Sequence, residues 1–186
     1  MTLRVIAGKA KGRKLKSVPG DTTRPITDRV KEALFNIIAG DVLDSNWWDV
    51  FAGTGAVGIE ALSRGASFVR FSDANRAPVE TIKSNVELCG FNSQAEIRRG
   101  DAFTFLTSPA DRRFEYIYIA PPQYKEMWAK ALELVNENVQ WITDDGWVIA
   151  QIDPKEYKPL TLENLEEFEQ RRYGSTLLVF YERKDQ

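Results

Sequence analysis

Apolar and polar residues follow one another along most of the chain as short apolar runs separated by amphipathic stretches. The apolar runs predict strands over residues 47–52, 68–72, 95–99, 114–120 and 147–152. The stretches between them predict helices over residues 58–64, 77–89, 103–106 and 125–138. Strands that alternate with helices form a parallel sheet with helices on both faces, so the pattern predicts an α/β fold.

Both ends of the chain depart from this alternation. Residues 3–7 predict a short strand, residues 9–16 a basic loop or hairpin, and Thr27 a cap for a helix that ends near Gly40. Residues 167–173 and 175–182 predict two strands joined at Gly174. A closing hairpin requires an antiparallel strand at or near the edge of an otherwise parallel sheet.

Composition narrows the possible chemistry. The 186 residues include no histidine and one cysteine, Cys89. This excludes Cys/His zinc sites, histidine bases and an intrachain disulfide, and it favours a reducing compartment, for which we expect the cytoplasm. No apolar run approaches the ~18 residues of a membrane span, and the first 16 residues lack the apolar core of a secretory signal.

Charge is distributed unevenly along the chain. The net charge is −2, yet residues 1–31 hold nine basic and two acidic side chains, whereas the remainder is acidic. A basic arm on an acidic body indicates a polyanionic partner, although a solvated tail would look the same. The residues expected to contact phosphates are Lys9, Lys11, Arg13, Lys14 and Lys16, with Arg24 and Arg29 nearer the active site.

A glycine-rich loop follows the first sheet strand. Gly53, Gly55 and Gly58 satisfy G-x-G-x-x-G between a predicted strand and a predicted helix, and Asp73 follows 20 residues after Gly53. That spacing suits a carboxylate that accepts ribose hydroxyls. Two cofactors compete for such a loop, a dinucleotide and S-adenosylmethionine.

Acidic residues around the loop favour S-adenosylmethionine, whose amino acid end and sulfonium carry positive charge. Asp49 precedes the loop and Glu60 follows it, although Glu60 could instead face solvent. Asp101 and Ala102 follow the third strand, where an acid can accept from an adenine amino group or can simply cap the next helix.

A second motif follows the fourth strand. Pro121 and Pro122 fix the backbone at the carboxyl end of that strand and leave their carbonyl groups free to accept hydrogen bonds. Such carbonyls can hold an amino group, and a nearby aromatic such as Tyr124 can stack on the base that carries it.

Taken in order, these segments resemble the bacterial 16S rRNA guanine-N2 methyltransferase family. The resemblance rests on RVIAGKAKGRKL (4–15), TRPITDRVKEALFNII (23–38), DVFAGTGAVGIEALSRGA (49–66) and RRYGSTLLVFYER (171–183). It implies a Rossmann-like class I methyltransferase sheet over residues 41–186, with an N-terminal extension over residues 1–40 that contacts RNA and covers the cofactor. It also implies methyl transfer from S-adenosylmethionine, without a metal, to N2 of one guanine in the small ribosomal subunit or an assembly intermediate.

Motif positions and resemblance together define the expected site. We expect catalysis at Ala120, Pro121, Pro122 and Tyr124. We expect cofactor binding at Asp49, Phe51, Gly53, Gly55, Asp73, Asp101 and Ala102.

One position departs from the family pattern. Ala120 stands where the family has Asp or Asn, and Tyr124 lies one residue later than the usual aromatic. The Pro121 carbonyl or the Gln123 side chain could take over the acceptor role. Alternatives are therefore an rRNA-binding assembly factor with weak or no catalysis, and amino-methylation of another nucleic acid or a small molecule. An NAD(P)-linked oxidoreductase fits the proline motif, the closing hairpin and the missing histidine poorly.

Overall fold

The computed structural model describes residues 2–20, 25–123 and 125–185 of the chain. The strands are β1 (Asn46–Asp49), β2 (Phe68–Asp73), β3 (Ala95–Arg99), β4 (Phe114–Ile119), β5 (Ile142–Ile152), β6 (Leu165–Tyr173) and β7 (Thr176–Arg183). The helices are α1 (Asp28–Ile38), α2 (Ala56–Ser63), α3 (Arg76–Leu88), α4 (Ala102–Thr107) and α5 (Met127–Glu137). Among the residues so described, no helix is long and apolar enough to cross a membrane.

The strands form one seven-stranded sheet in the order β3-β2-β1-β4-β5-β7-β6. β1 to β5 pair in parallel, and β7 runs antiparallel between β5 and β6. The predicted α/β class and the antiparallel closing hairpin are confirmed. The order reverses between β1 and β4, and ligands of open α/β sheets bind at such a switch point, outside the carboxyl ends of the strands.

The sheet separates two hydrophobic clusters because successive strand residues point to opposite faces. Trp47 stacks near Phe35 and Tyr116 in the first cluster. Trp48, the next residue, packs against Trp141 in the second. Burying one such side chain stabilises the fold by about 2–3 kcal/mol, so the consecutive tryptophans help fix which face each helix covers.

The strand β5 begins five residues earlier than the apolar run predicts. Ile142 pairs with Phe114, but a register shift separates this pair from Tyr116 and Trp147. The polar pair Asp144 and Asp145 lies in that irregular stretch, which hides the strand from a hydrophobic pattern.

The N-terminal segment forms a hairpin rather than a strand over residues 3–7. Val5 N–H donates to the Arg13 carbonyl (2.9 Å), and Leu15 N–H donates to the Leu3 carbonyl (2.8 Å). The next backbone amides, those of Ile6 and Ala7, donate to Glu60 of α2 instead. Apolar side chains of this segment share the first core cluster with the sheet. The division of the chain at residue 40, into an extension that contacts RNA and a methyltransferase domain, stays a prediction.

Candidate active site

The glycine loop between β1 and α2 is shaped by two residues with left-handed backbone. Gly53 has φ 57° and Gly55 has φ 82°, values that favour glycine. A Cβ on Gly53 would meet open space, so the loop presents bare backbone outward. A Cβ on Gly58 would lie 2.3 Å from the Phe71 ring, so this glycine allows α2 to pack closely on β2. The three motif glycines thus serve two purposes, a turned open loop and tight helix packing.

Asp73 lies at the end of β2, beside this loop. Its carboxylate accepts from Gly53 N–H (3.1 Å) and from Asn75 N–H (3.1 Å). The Ala52 N–H donates to the Ser72 carbonyl at 2.9 Å, which ties the loop to the same strand end. The structure therefore holds a partly buried carboxylate against the loop backbone, where it was predicted.

Asp49, the last residue of β1, is buried under the loop. Its carboxylate accepts a long hydrogen bond from Gly58 N–H (3.4 Å), in the first turn of α2. Burial raises the pKa of Asp49 to about 7; the Gly58 bond opposes the rise and the nearby Asp73 charge adds to it. Asp49 and Asp73 thus lie beside the N-terminus of α2, where the pyrophosphate of a dinucleotide would bind. Two acidic groups at this place disfavour a dinucleotide.

The far wall of the site comes from α4. Asp101 is exposed and caps this helix, because one carboxylate oxygen, Oδ2, accepts from both the backbone N–H and the hydroxyl of Thr104 (2.9 Å each). Ala102 is buried behind it. The half-buried Phe51 ring meets the Phe103 ring edge-on, with centroids 6.2 Å apart. Within the described residues both bonds go to Oδ2, which leaves Oδ1 for an adenine amino group. The helix-cap and the adenine-binding interpretations of Asp101 therefore both stay open.

The proline loop lies next to the glycine loop. Val50 N–H donates to the Tyr118 carbonyl (3.0 Å), which brings the ends of β1 and β4 together. Ala120 and Pro121 are half-buried, and Pro122 is exposed. Tyr124 lies outside the described residues. The candidate catalytic backbone and the candidate cofactor loop therefore leave neighbouring strands at the same edge of the sheet.

The predicted RNA contacts are exposed around the N-terminal hairpin and α1. The exposed members are Lys9, Lys11, Arg13, Lys14, Lys16 and Arg29. The Arg29 guanidinium lies 5.9 Å from the centre of the Tyr173 ring. Arg24 lies outside the described residues. No group of three or more metal-binding side chains occurs in the part of the chain that the structure describes.

Comparison with known proteins identifies the family of the chain. The family described as conserved hypothetical protein 95 matches residues 3–182. The chain belongs to this family. Among its relatives, the candidate rRNA methyltransferase YlbH of Bacillus subtilis is 38% identical over 98% of this chain and 100% of its own. The ribosomal RNA small subunit methyltransferase D of Haemophilus influenzae is 33% identical over 85% of this chain and 81% of its own.

The fold of this family member also matches the solved structure of a similar protein. A candidate methyltransferase of Escherichia coli, yhhF, superimposes with a TM-score of 0.88 at 28% identity and covers 100% of both chains. The sequence resemblance to rRNA methyltransferases is therefore confirmed at the level of the family.

Glu60 does not face the site, and its predicted role near the cofactor is wrong. The side chain is fully buried and accepts from the backbone N–H groups of Ile6 (3.0 Å) and Ala7 (3.3 Å). It also pairs with Arg64 at 3.0 Å and with buried Lys31 at 3.9 Å. Glu60 thus fastens the N-terminal hairpin of this family member to α2.

Sequence reasoning missed Asn85 on α3. This fully buried side chain accepts from Lys16 N–H (2.7 Å) and donates to the carbonyls of Lys16 (3.0 Å) and Thr54 (2.9 Å). The available signal was the position of Asn85, a polar residue that lies three residues after Ile82 in the apolar stripe of an amphipathic helix. Asn85 joins the basic hairpin to the glycine loop.

Proposed function

We propose that this protein transfers a methyl group from S-adenosylmethionine to the exocyclic N2 of a guanine in 16S rRNA. The substrate would be the small ribosomal subunit or an assembly intermediate, in the cytoplasm. The observation that carries the proposal is the junction of β1 and β4, where the Val50–Tyr118 bond makes the acid-flanked glycine loop a neighbour of the proline loop. Relatives that match most of the chain include a candidate rRNA methyltransferase and a ribosomal RNA small subunit methyltransferase D, which supports the same conclusion.

The residues around the glycine loop suit S-adenosylmethionine. Asp73 can share its carboxylate between Gly53 N–H and ribose hydroxyls. Asp49 offers a buried carboxyl group that a cationic ligand would ionise. Open space above Gly53 leaves room for a ligand against the backbone, and the half-buried Phe51 supplies an apolar wall. S-adenosylmethionine supplies an electrophilic methyl group when it is bound there.

The proline loop can hold the amino group that receives the methyl. The backbone carbonyls of Ala120 and Pro121 can accept its two N–H groups, which would aim the nitrogen lone pair at the cofactor loop. Tyr124 would stack on the guanine once that base leaves its stack. A strong base is unnecessary, because the nitrogen becomes cationic when it gains the methyl group and can then release its proton to water. Positioning and exclusion of water would supply most of the rate enhancement.

Ala120 favours one second candidate, an rRNA-binding assembly factor with little or no turnover. A side chain that accepts a hydrogen bond is missing at this position, and loss of such a group commonly costs ~100-fold in rate. The intact acids Asp49 and Asp73 favour the catalyst, since a binding factor has no need of them.

Methyl transfer can be tested with purified protein, methyl-labelled S-adenosylmethionine and small subunits from cells that lack the protein. Free rRNA and subunits from normal cells serve as controls, and labelled nucleosides are identified after digestion. Label in N2-methylguanosine, seen only with the unmodified subunits, is the expected result. Label in another nucleoside would redirect the proposal to another amino group.

A companion binding measurement separates the two candidates. S-adenosylhomocysteine affinity is measured for the natural chain and for Asp73→Ala, with the exposed Asp41→Ala as the matched control. We expect only Asp73→Ala to weaken binding, by roughly tenfold or more, because one acceptor for charged or hydroxyl partners is lost. Binding without any methylation would support the assembly factor instead.

A further inference from the structure

The tip of the β6–β7 hairpin lies at the same edge of the sheet as the candidate active site. Ile152, the last residue of β5, pairs with Leu177 near the start of β7, so the turn at Gly174 lies beyond the carboxyl end of β5. β4, which leads into the proline loop, is two strands away from β7. At the usual spacing of ~4.8 Å per strand, β7 is roughly 10 Å to the side of that loop, and β6, the other strand of the hairpin, is about 14 Å to the side.

Charge along β6 is sorted by sign. The half of the strand far from the active-site edge carries Glu166, Glu167 and Glu169, and the half at that edge carries Arg171 and Arg172. Charged side chains often protect an edge strand from pairing with other chains, but either sign serves that purpose. Protection of the edge strand therefore does not explain why acidic and basic side chains occupy separate halves of β6. An anionic substrate near the end that carries the arginines does explain it.

Both arginines are exposed, and among the residues that the structure describes they retain N–H donors. Arg171 meets Glu169 through one long contact of 3.4 Å, and Arg172 donates from Nε to the Gly174 carbonyl at 3.1 Å. A guanidinium group has five N–H donors, so each contact leaves most of them available. An exposed ion pair such as Arg171–Glu169 contributes little stability, so stability does not account for the arginine.

The first turn of α1 connects this tip with the N-terminal hairpin. Asp28 accepts from Arg4 Nε at 2.9 Å, and the next residue, Arg29, lies over the Tyr173 ring of the β6–β7 hairpin. Arg4 is itself paired across the N-terminal hairpin with Lys14. The basic side chains thus extend from one hairpin, across α1, to the other.

We propose that Arg171 and Arg172, on opposite faces of β6, form a second phosphate-binding site for the RNA substrate at the hairpin tip, and that Arg171, on the same face as Tyr173, continues through Arg29 to the basic N-terminal hairpin. This inference rests on the proposed function. RNA would be held on both sides of the base that enters the site, by backbone contacts without base readout. Two additional contacts of this kind add to affinity and to its salt dependence, and they leave the cofactor site unchanged.

The test compares Arg171→Gln/Arg172→Gln with Arg112→Gln/Arg113→Gln, which removes two neighbouring arginines just before β4, at the opposite edge of the sheet. Binding to unmodified small subunits is measured across a salt series, with methylation kinetics and S-adenosylhomocysteine affinity alongside. For the hairpin-tip variant we expect roughly tenfold weaker subunit binding at physiological salt and a salt slope shallower by about 1.4–1.8. KM for subunits should rise while kcat and cofactor affinity stay the same.

Each other outcome has a distinct meaning. If the hairpin-tip variant binds like the natural chain, or if the control variant weakens binding equally, the second surface is refuted. If the natural chain neither binds nor methylates subunits, the proposed function fails, and the inference fails with it.

Discussion

The side chain of Asn85 donates a hydrogen bond to the Thr54 carbonyl at 2.9 Å, from the last turn of α3 to the centre of the glycine loop. The same amide group bonds both backbone groups of Lys16. One buried side chain therefore fixes the candidate cofactor loop and the end of the basic hairpin relative to each other.

Replacement of Asn85 by Ala should destabilise the fold and loosen this connection. The change removes one partner from each of three backbone groups, and an unsatisfied buried group costs about 1–3 kcal/mol. We expect a large loss in the free energy of unfolding in urea, and weaker binding of S-adenosylhomocysteine in the fraction that stays folded. Asn92→Ala, an exposed asparagine in the turn before β3, is the control. Equal stability of both variants would contradict this role for Asn85.

The contacts of Asn85 and Glu60 also mark where sequence patterns stop being informative. Strand and helix periodicity predicted the sheet because burial imposes a repeat along each element. The glycine loop and Asp73 were predictable because they lie within one strand–loop–helix unit of fixed spacing. Partners far apart in sequence, such as Glu60 and Ile6, leave no local repeat. The sequence therefore predicts a ligand for the Glu60 carboxylate because it lies near the glycine loop. In the structure this carboxylate accepts hydrogen bonds from the chain's own backbone.

Glu60→Gln should lower stability sharply because Lys31 would remain buried without its carboxylate partner. Both side chains are fully buried, and removal of one partner from a buried pair costs about 3–5 kcal/mol. Burial already lowers the pKa of Lys31, so the lysine depends on its acidic neighbours to stay charged. Urea denaturation measures the loss.

A second variant keeps this prediction testable if Glu60→Gln fails to fold. In Glu60→Gln/Lys31→Met the buried cation is absent, and part of the stability should return. A double variant that is less stable than Glu60→Gln would show that the pair does not explain the loss.

Asp49 should make stability depend on pH between about 4 and 7. Its pKa is about 7 in the folded chain against an ordinary value of 3.8, so in this range the folded state binds a proton that the unfolded state does not. Stability from this group therefore falls as pH rises toward 7 and is constant above it, by about 4 kcal/mol in total. Asp49→Asn should remove that component from unfolding curves recorded across the range.

The same ionisation should appear in cofactor binding. A cationic ligand close to Asp49 stabilises the carboxylate, so binding releases a proton and affinity rises with pH up to about 7. Calorimetry of S-adenosylmethionine in two buffers of different ionisation enthalpy would count the released proton. Asp49→Asn should bind without this release; an unchanged release in the variant would assign the proton to another group.

Ala120 offers the sharpest test of catalysis at the proline loop. The residue is half-buried directly after β4, where an Asn side chain could place an acceptor beside the amino group that the backbone carbonyls of Ala120 and Pro121 would otherwise hold alone. We expect Ala120→Asn to raise kcat for subunit methylation by roughly 10-fold or more, since an added acceptor acts on the reacting nitrogen. S-adenosylhomocysteine affinity and KM for subunits should change little. Ala110→Asn, on the loop before β4, is the control for an added amide. A kcat that falls in Ala120→Asn would show that the backbone carbonyls already hold the amino group and that a side chain obstructs it.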